Sequence, residues 1–141
     1  MMTISTRGRY ATRMVVLLAA REPGASMTKN EIADAEGISA GYVQQLMMAL
    51  RLGNIVDSHR GREGGFSLSR PAEEITVADV LKALEGDVMP APCHGVGHCV
   101  RAEDCPTRPI WEEAAGLLDD LFSKTTVASL AERQAAACSA D

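Results

Sequence analysis

Two helix-start signals separated by a single glycine constrain the fold of this chain more than any other stretch. Thr28 and Glu31 have the spacing of a capping box, which satisfies free backbone N–H groups at the start of a helix. Gly37 ends that short helix at a position that tolerates a left-handed backbone, and Ser39 caps a second helix that we predict to run to about Leu52. A short helix, a glycine turn and a capped second helix form the pattern of a helix-turn-helix.

The apolar residues of the two helices predict which faces are buried. Ile32 and Ala35 are expected to point inward from the first helix. The second helix is expected to bury a stripe at helical spacing: Val43, Leu46, Met47 and Leu50. Its other face suits the edges of bases in a DNA groove, because glutamine can pair with adenine through two hydrogen bonds. That face offers Gly41, Gln44, Gln45 and Met48, and it is flanked by Tyr42 and Arg51. An ordinary helical hairpin is the alternative.

A predicted β-hairpin follows the second helix directly. Residues 54–58 and 66–69 have the composition of short strands, and the segment between them holds three glycines together with Arg60 and Arg62. Glycine allows a backbone to approach a groove closely, and arginine suits the narrow, negative minor groove of DNA. Beside a helix-turn-helix, this hairpin is predicted to be a DNA-binding wing, with a plain glycine-rich turn as the alternative.

A first helix is predicted from about residue 8 to residue 20, after a cap at Ser5 or Thr6. Arg7 and Arg9 lie at its start, where the helix dipole disfavours positive charge. A bound phosphate would offset that repulsion, so both arginines are candidates for contact with the DNA backbone. Solvated surface arginines are the alternative.

Three helices are predicted after the hairpin. The first follows a capping box at Thr76 and Asp79, the second runs from Pro109 to about Lys124, and a short third one follows residues 125–126. The long helix has acidic residues on one face and on the other an apolar stripe: Ile110, Ala114, Leu117, Leu118, Leu121 and Phe122. Little core remains for this stripe to cover within one subunit, so we predict that it pairs with its copy in a homodimer. Packing back on its own domain is the alternative.

Three of the four cysteines lie in one short segment, with five residues in each gap: Cys93, Cys99 and Cys105. Prolines bracket the segment and glycines interrupt it, which predicts a loop. Three thiols on one loop suit a thiophilic metal, and we predict an iron–sulfur cluster. A disulfide switch without metal ranks second. A structural zinc site ranks third, because such sites usually have more closely spaced cysteine pairs and four ligands.

Charge and cysteine content limit the remaining classes of protein. Residues 1–70 carry nine Lys or Arg and six Asp or Glu, whereas residues 71–141 carry five and thirteen, so the positive excess lies in the half with the predicted helix-turn-helix. Four cysteines, no clear secretory signal and no long apolar run predict a cytoplasmic protein that does not enter a membrane. No nucleotide-binding loop or catalytic triad motif is visible, so an enzyme that uses the cluster is the weaker alternative.

Four motifs occur along the chain in order: residues 6–11, residues 37–39 followed by 42–46, residues 60–61 with 64–66, and the three cysteines. With them, the chain resembles the IscR, NsrR and CymR type of bacterial winged-helix transcription regulators from about Ser5 to Leu130. The cysteines indicate the cluster-binding branch of that family. The resemblance implies a mainly α fold with a small β-hairpin wing and a long C-terminal dimerisation helix. It also implies a homodimer bound to a palindromic operator in double-stranded DNA.

The resemblance implies roles for individual residues. In the major groove it implies Tyr42, Gln44 and Gln45, and in the minor groove Arg60. As ligands of iron it implies Cys93, Cys99 and Cys105. Together with these, the candidates for contact with DNA are Arg7, Arg9, Thr28, Ser39, Arg51 and Arg62.

Two positions depart from the pattern of the cluster-binding relatives. Relatives with a 2Fe–2S cluster have a histidine three residues after the third cysteine, where this chain has Arg108. Others use an acidic residue of the opposite subunit near the start of the first helix, where this chain has Arg9. Arginine stays protonated and cannot ligate iron, so the fourth ligand is unassigned. The alternatives that remain are Glu103, Asp104, Cys138, a small molecule or an open site. A 4Fe–4S cluster with one weakly held corner suits three cysteines best, and a 2Fe–2S cluster with an unusual fourth ligand ranks next.

We therefore predict a transcription regulator, with a repressor as the expected form, whose operator binding is controlled by a cluster that senses iron, redox state or nitric oxide. The predicted units are a winged helix-turn-helix over residues 1–86, a cluster-binding loop over residues 87–108, and the dimerisation and short terminal helices over residues 109–137. A cluster-free regulator that senses thiol oxidation is the main alternative.

Overall fold

The computed structural model describes residues 3–62, 64–87, 89–91 and 99–140. Within these ranges the chain forms six α-helices, a short 3₁₀-helix and a two-stranded antiparallel sheet. In chain order they are α1 (Thr6–Ala19), α2 (Lys29–Glu36), α3 (Ala40–Leu52), β1 (Val56–His59), β2 (Gly65–Leu68), the 3₁₀-helix (Ala72–Glu74), α4 (Val77–Glu85), α5 (Arg108–Lys124) and α6 (Val127–Cys138). The predicted mainly α fold with a hairpin wing is confirmed.

The helix-turn-helix forms through the local contacts that were predicted. The Thr28 hydroxyl accepts the N–H of Glu31 at 3.2 Å, and Glu31 Oε2 accepts the N–H of Thr28 at 2.7 Å. Accepting that backbone N–H lowers the pKa of Glu31, so the carboxylate of the capping box stays charged to lower pH than that of a free glutamate. Gly37 ends α2 with φ 67° in the left-handed region, and the Ser39 hydroxyl caps α3.

The buried stripe of α3 is confirmed, since all four predicted residues are fully buried: Val43, Leu46, Met47 and Leu50. The expectation for Ala35 was wrong, because Ala35 is exposed and Ala33 is buried beside Ile32. The reason is that α2 packs against both α1 and α3, which turns positions 32, 33 and 36 inward. The spacing of apolar residues along α2 is by itself compatible with burial of either Ala33 or Ala35.

The wing is anchored at its base. β1 and β2 pair in register from Val56 with Leu68 to His59 with Gly65. Phe66 also exchanges two backbone hydrogen bonds with Met27, at 2.8 and 2.9 Å. The first strand begins two residues later than predicted, because residues 54–55 are used to end α3: Asn54 has φ 57°, and the N–H of residue 55 donates to the carbonyl of residue 50. The two hydrogen bonds between Phe66 and Met27 tie the hairpin to the residue that precedes Thr28, the cap of α2.

The terminal helix α6 closes the fold against its beginning. The N–H of Val77 donates to Thr125 O at 2.9 Å, and the N–H of Val127 donates to Ile75 O at 2.8 Å. Val127 is fully buried in the same core as α1 and α3, and α6 packs along α1. The predicted short helix is therefore a twelve-residue helix that contributes to the main core. The division into functional units stays a prediction.

The apolar stripe of α5 divides into two parts. Leu118 and Phe122 are half-buried and line a cavity that α1 and α4 also border. Ile110, Leu117 and Leu121 are exposed to 58, 65 and 58 %, and no residue of α5 is fully buried. One part of the stripe thus packs back on the chain, while the other lies in water. None of the helices in the described part of the chain has the length and apolar content to cross a membrane.

Candidate nucleic-acid interface and cysteine segment

The outer face of α3 carries the predicted base-contacting residues. Gln45 and Arg51 are exposed, and Tyr42 and Gln44 are partly exposed. The Tyr42 ring packs edge-on against Tyr10 of α1, with ring centroids 6.2 Å apart and an interplanar angle of 84°. An edge-to-face pair of this kind is favourable for aromatic rings, so α1 holds the first turn of α3 in place.

Thr28 and Ser39 have a local role as helix caps. Each hydroxyl oxygen accepts a backbone N–H of the helix that follows, at 3.2 Å in α2 and 3.1 Å in α3. A hydroxyl that accepts in this way can still donate its own hydrogen to another group. The N-terminus of a helix also favours the binding of a phosphate group. Their contact with DNA stays a prediction.

The two arginines of α1 have different surroundings. Arg7 is exposed at the start of the helix. Arg9 donates to the Thr6 hydroxyl at 3.3 Å and borders a cavity of about 660 Å³ together with Leu130 and Gln134 of α6. Arg9 therefore lies on the side of α1 toward α6. Contact of either arginine with DNA stays a prediction.

The tip of the wing exposes both of its arginines. Arg60 and Arg62 are exposed, and the turn is closed by a backbone hydrogen bond from Gly64 to Gly61 at 3.0 Å. Gly61 has φ 104°, a conformation that side chains disfavour, which explains a glycine at this point of the turn. The turn thus presents two guanidinium groups on a compact backbone.

The cysteine segment is described only in part. Cys93 lies outside the described residues, so the predicted set of three ligands is not tested. Cys99 is exposed and Cys105 is half-buried, and a turn follows Cys99 in which Ala102 N–H donates to Cys99 O at 3.0 Å. Among the residues with described positions, no group of three or more His, Cys, Asp or Glu side chains is arranged to hold a metal.

Cys105 lies just ahead of α5 in a setting that favours the thiolate. The Thr107 hydroxyl, 3.3 Å from the sulfur, and the backbone N–H groups of Thr107 and Arg108 lower the pKa of Cys105, and the charge of Arg101 acts in the same direction. The thiolate is both the form that ligates metals and the form that reacts with oxidants. The donor chemistry of Cys105 therefore fits an iron–sulfur cluster, and it also fits a redox-sensitive thiol.

Several contacts that hold the site together have no local sequence signal. The Glu85 carboxylate, at the end of α4, accepts the N–H of Gly8 at 3.1 Å and the hydroxyl of Ser5. Arg13 Nε lies 2.8 Å from Glu36 Oε2, which ties α1 to the end of α2. The partners are distant in sequence, so only the tertiary structure identifies them.

The sequence matches the Rrf2 family, described as "Iron-dependent Transcriptional regulator", over residues 4–133. Protein rrf2 of Nitratidesulfovibrio vulgaris is 36 % identical over 138 residues, which cover 97 % of this chain and 91 % of that protein. The transcriptional regulator IscR of Escherichia coli is 29 % identical over 133 residues, which cover 94 % and 82 %.

Solved structures support the same relationship. CymR, the global cysteine regulator of B. subtilis, superposes with a TM-score of 0.79 at 30 % identity, over 94 % of this chain and 98 % of that one. IscR of T. potens superposes with a TM-score of 0.75 at 26 % identity, over 94 % and 88 %. The relatives are regulators and not enzymes, as predicted. Because the family match covers most of the sequence, the chain belongs to the Rrf2 family of transcriptional regulators.

Proposed function

We propose that this regulator is a repressor that binds a palindromic operator as a homodimer, with its affinity set by an iron–sulfur cluster on Cys93, Cys99 and Cys105. The observation that carries the proposal is the position of Cys105. Its thiol has a lowered pKa, and the residue lies three positions before Arg108, where α5 begins; this helix leaves an apolar face exposed. A metal ligand at that point is connected to the proposed subunit interface. The description of the family as iron-dependent and the similarity to IscR support this reading.

In this proposal α3 lies in the major groove and the wing reaches the adjacent minor groove. Gln44 and Gln45 offer amide groups to base edges, and the pair of Tyr42 with Tyr10 fixes the first turn of α3 relative to α1. The wing follows α3 after only a few residues, and the hydrogen bonds between Phe66 and Met27 hold its base. The short connection and the anchored base limit the direction in which the hairpin points and how far it extends from α3.

Replacing Arg60 of the wing should weaken binding to every DNA sequence that has a narrow minor groove. For Arg60→Ala we expect a loss of about 1–3 kcal/mol in binding free energy. The reason is that alanine lacks the guanidinium group, which has a favourable contact with the negative potential of the minor groove. Fluorescence anisotropy with labelled operator measures the change. Arg133→Ala, an exposed arginine of α6, is the matched control and should bind as wild type does. Equal affinities for the two variants would contradict the role of the wing.

The homodimer is supported by the unpaired part of the α5 stripe. Ile110, Leu117 and Leu121 recur at the spacing of one helix face and stay more than half exposed in the single chain. Two copies that pair along this face would remove the exposed apolar area from water. A two-fold arrangement would also present two α3 helices to the two halves of a palindrome.

Signal transfer follows the packing of the chain. The cysteine segment leads into α5, α5 packs on α4, and α4 packs on both α1 and α3. When bound, the cluster supplies iron that can be lost or modified under iron shortage, oxidation or nitric oxide. Cys93, Cys99 and Cys105 would hold the start of α5 in place with the cluster bound and release it without the cluster, which would shift the placement of the two α3 helices. A coupling of about 1–3 kcal/mol is enough for regulation.

Removing one proposed ligand tests the cluster. Cys99→Ala should abolish the visible absorbance of anaerobically purified protein and change its operator affinity, because two remaining thiolates hold a cluster too weakly. Native mass spectrometry and anisotropy measure both effects. Cys138→Ala removes an exposed thiol from α6 and leaves all three proposed ligands in place, so it is the comparison variant. Loss of colour in Cys138→Ala would identify the fourth ligand, whereas colour and affinity that survive in Cys99→Ala would overturn the proposal.

A thiol switch without iron is the second candidate, because Cys99 and Cys105 are both free and accessible and the lowered pKa of Cys105 suits oxidation as well as metal binding. A structure of CymR from Staphylococcus aureus in an oxidised form, 31 % identical and with a TM-score of 0.76, shows that a similar protein has been obtained in an oxidised state. Iron-free protein distinguishes the two candidates. If a mild thiol oxidant changes operator affinity while no iron is bound, the switch is favoured over the cluster.

A further inference from the structure

We infer that Arg108 is a positioning residue that shapes the segment between Cys99 and Cys105 before any metal is bound. The inference rests on the proposed function, because it concerns two of the three proposed ligands. Arg108 cannot ligate iron itself, since its guanidinium stays protonated. Its contacts indicate a different role in the same site.

The guanidinium of Arg108 joins the cysteine segment to α5. Arg108 Nη1 donates to the carbonyl oxygen of Ala102 at 3.1 Å, and Arg108 Nε donates to Glu112 Oε1 at 2.8 Å. Glu112 lies one turn further along the same helix, so one contact of the Arg108 side chain stays within α5 while the other crosses to the cysteine segment. A planar fork of donors can make both contacts at once, which a lysine ammonium does less well.

The same contacts reach both cysteines. The N–H of Ala102 donates to Cys99 O at 3.0 Å, so the Ala102 residue is bound to Cys99 on one side and to Arg108 on the other. The backbone N–H of Arg108 lies 3.4 Å from Cys105 O, and Thr107 contacts the Cys105 sulfur. Both cysteines are therefore connected to the first turn of α5 through Arg108 and its neighbour. Ordering of ligands before binding removes an entropic cost from metal uptake.

A plain surface ion pair is the competing explanation for these contacts. The side chains of Arg108 and Glu112 are 45 and 46 % exposed, and ion pairs of this kind contribute little by themselves. The hydrogen bond to the Ala102 carbonyl separates the two explanations, because it crosses from the helix to the cysteine segment. Lys124 and Asp120 form an ion pair with the same four-residue spacing near the other end of α5, 3.6 Å apart, and provide a matched control.

Limited trypsin digestion of the metal-free, full-length protein tests the ordering. Trypsin cleaves after Arg101 inside the segment, whereas Pro109 blocks cleavage after Arg108, so Arg108→Met leaves the cleavable sites of this region unchanged. We expect Arg108→Met to speed cleavage after Arg101 about five-fold, the factor that corresponds to one lost hydrogen bond. Lys124→Met should cleave there at the wild-type rate, and Arg108→Lys should give an intermediate rate.

Cluster retention provides the second measurement. On protein reconstituted with iron and sulfide, Arg108→Met should lose its visible absorbance to an iron chelator about ten-fold faster than wild type, which is the size of effect that residues supporting metal ligands have. Lys124→Met should match wild type, and Arg108→Lys should recover part of the difference. A purely structural role elsewhere in the fold would leave both measurements unchanged.

The outcomes separate this inference from the proposed function. If Arg108→Met matches wild type and Lys124→Met in both digestion and cluster loss, the positioning role is wrong while the cluster stands. If wild type takes up no iron, the cluster proposal is wrong and Arg108 has no ligands to position, whatever the digestion shows. Faster digestion together with faster cluster loss supports both.

Discussion

The double variant Leu117→Glu/Leu121→Glu is expected to be a folded monomer that binds a full palindromic operator at least about 100-fold more weakly than wild type. Two linked half-site contacts gain a factor of about 10²–10⁴ over a single one, and a monomer forfeits that gain. Both leucines are exposed in the single chain, to 65 and 58 %, so glutamates there remain in water and the fold is kept. In a dimer, the same positions would place carboxylates inside an apolar interface.

Analytical ultracentrifugation measures the subunit association, and anisotropy on full and half operators measures the binding. The matched control is Ser123→Glu, which adds a charge to an exposed position of the same helix off the apolar stripe. We expect this control to remain a dimer with wild-type affinity. A double variant that stays dimeric would show that α5 does not form the interface by this face.

Gly65→Ala is expected to lower the free energy of unfolding by about 3 kcal/mol and to weaken operator binding. Gly65 has φ 144°, and a Cβ atom there would overlap the carbonyl oxygen of Met27 and lie 2.9 Å from the backbone nitrogen of Thr28. These are backbone atoms that the hydrogen bonds between Phe66 and Met27 hold in place. The wing must therefore shift, and the cap of α2 shifts with it.

Gly61→Ala separates steric overlap from backbone strain. Gly61 has φ 104°, and among the residues with described positions no atom lies within 4 Å of its ideal Cβ position, so this variant incurs the strain of the backbone alone. Urea unfolding followed by circular dichroism measures both variants, and anisotropy measures their operator affinity. The smaller loss should belong to Gly61→Ala. Equal stability losses would mean that the base of the wing yields more easily than its contacts indicate.

Local chemistry explains the elements that could be predicted from the sequence. The box of Thr28 and Glu31, the turn at Gly37 and the cap at Ser39 act within four residues, so they have the same effect in any surrounding structure. The buried stripe of α3 was predictable for a related reason, because one whole face of that helix is apolar. The glycines of the hairpin mark its turn in the same way.

Contacts between distant residues decided the rest. Periodicity could not distinguish Ala35 from Ala33, because the buried arc of α2 depends on two neighbouring helices. Periodicity also could not predict which residues of the apolar stripe on α5 are covered. Leu118 packs back on the chain, whereas Leu117 stays exposed.

By itself, the sequence determined where α2 and α3 are capped, where the hairpin turns and which three thiols share one segment, since these properties depend on neighbouring residues. Only the tertiary structure decided which apolar surfaces are covered, how Tyr10 supports Tyr42 and how Arg108 reaches Ala102. The physical reason is that burial and long-range hydrogen bonds depend on the relative placement of whole elements, which no local pattern specifies.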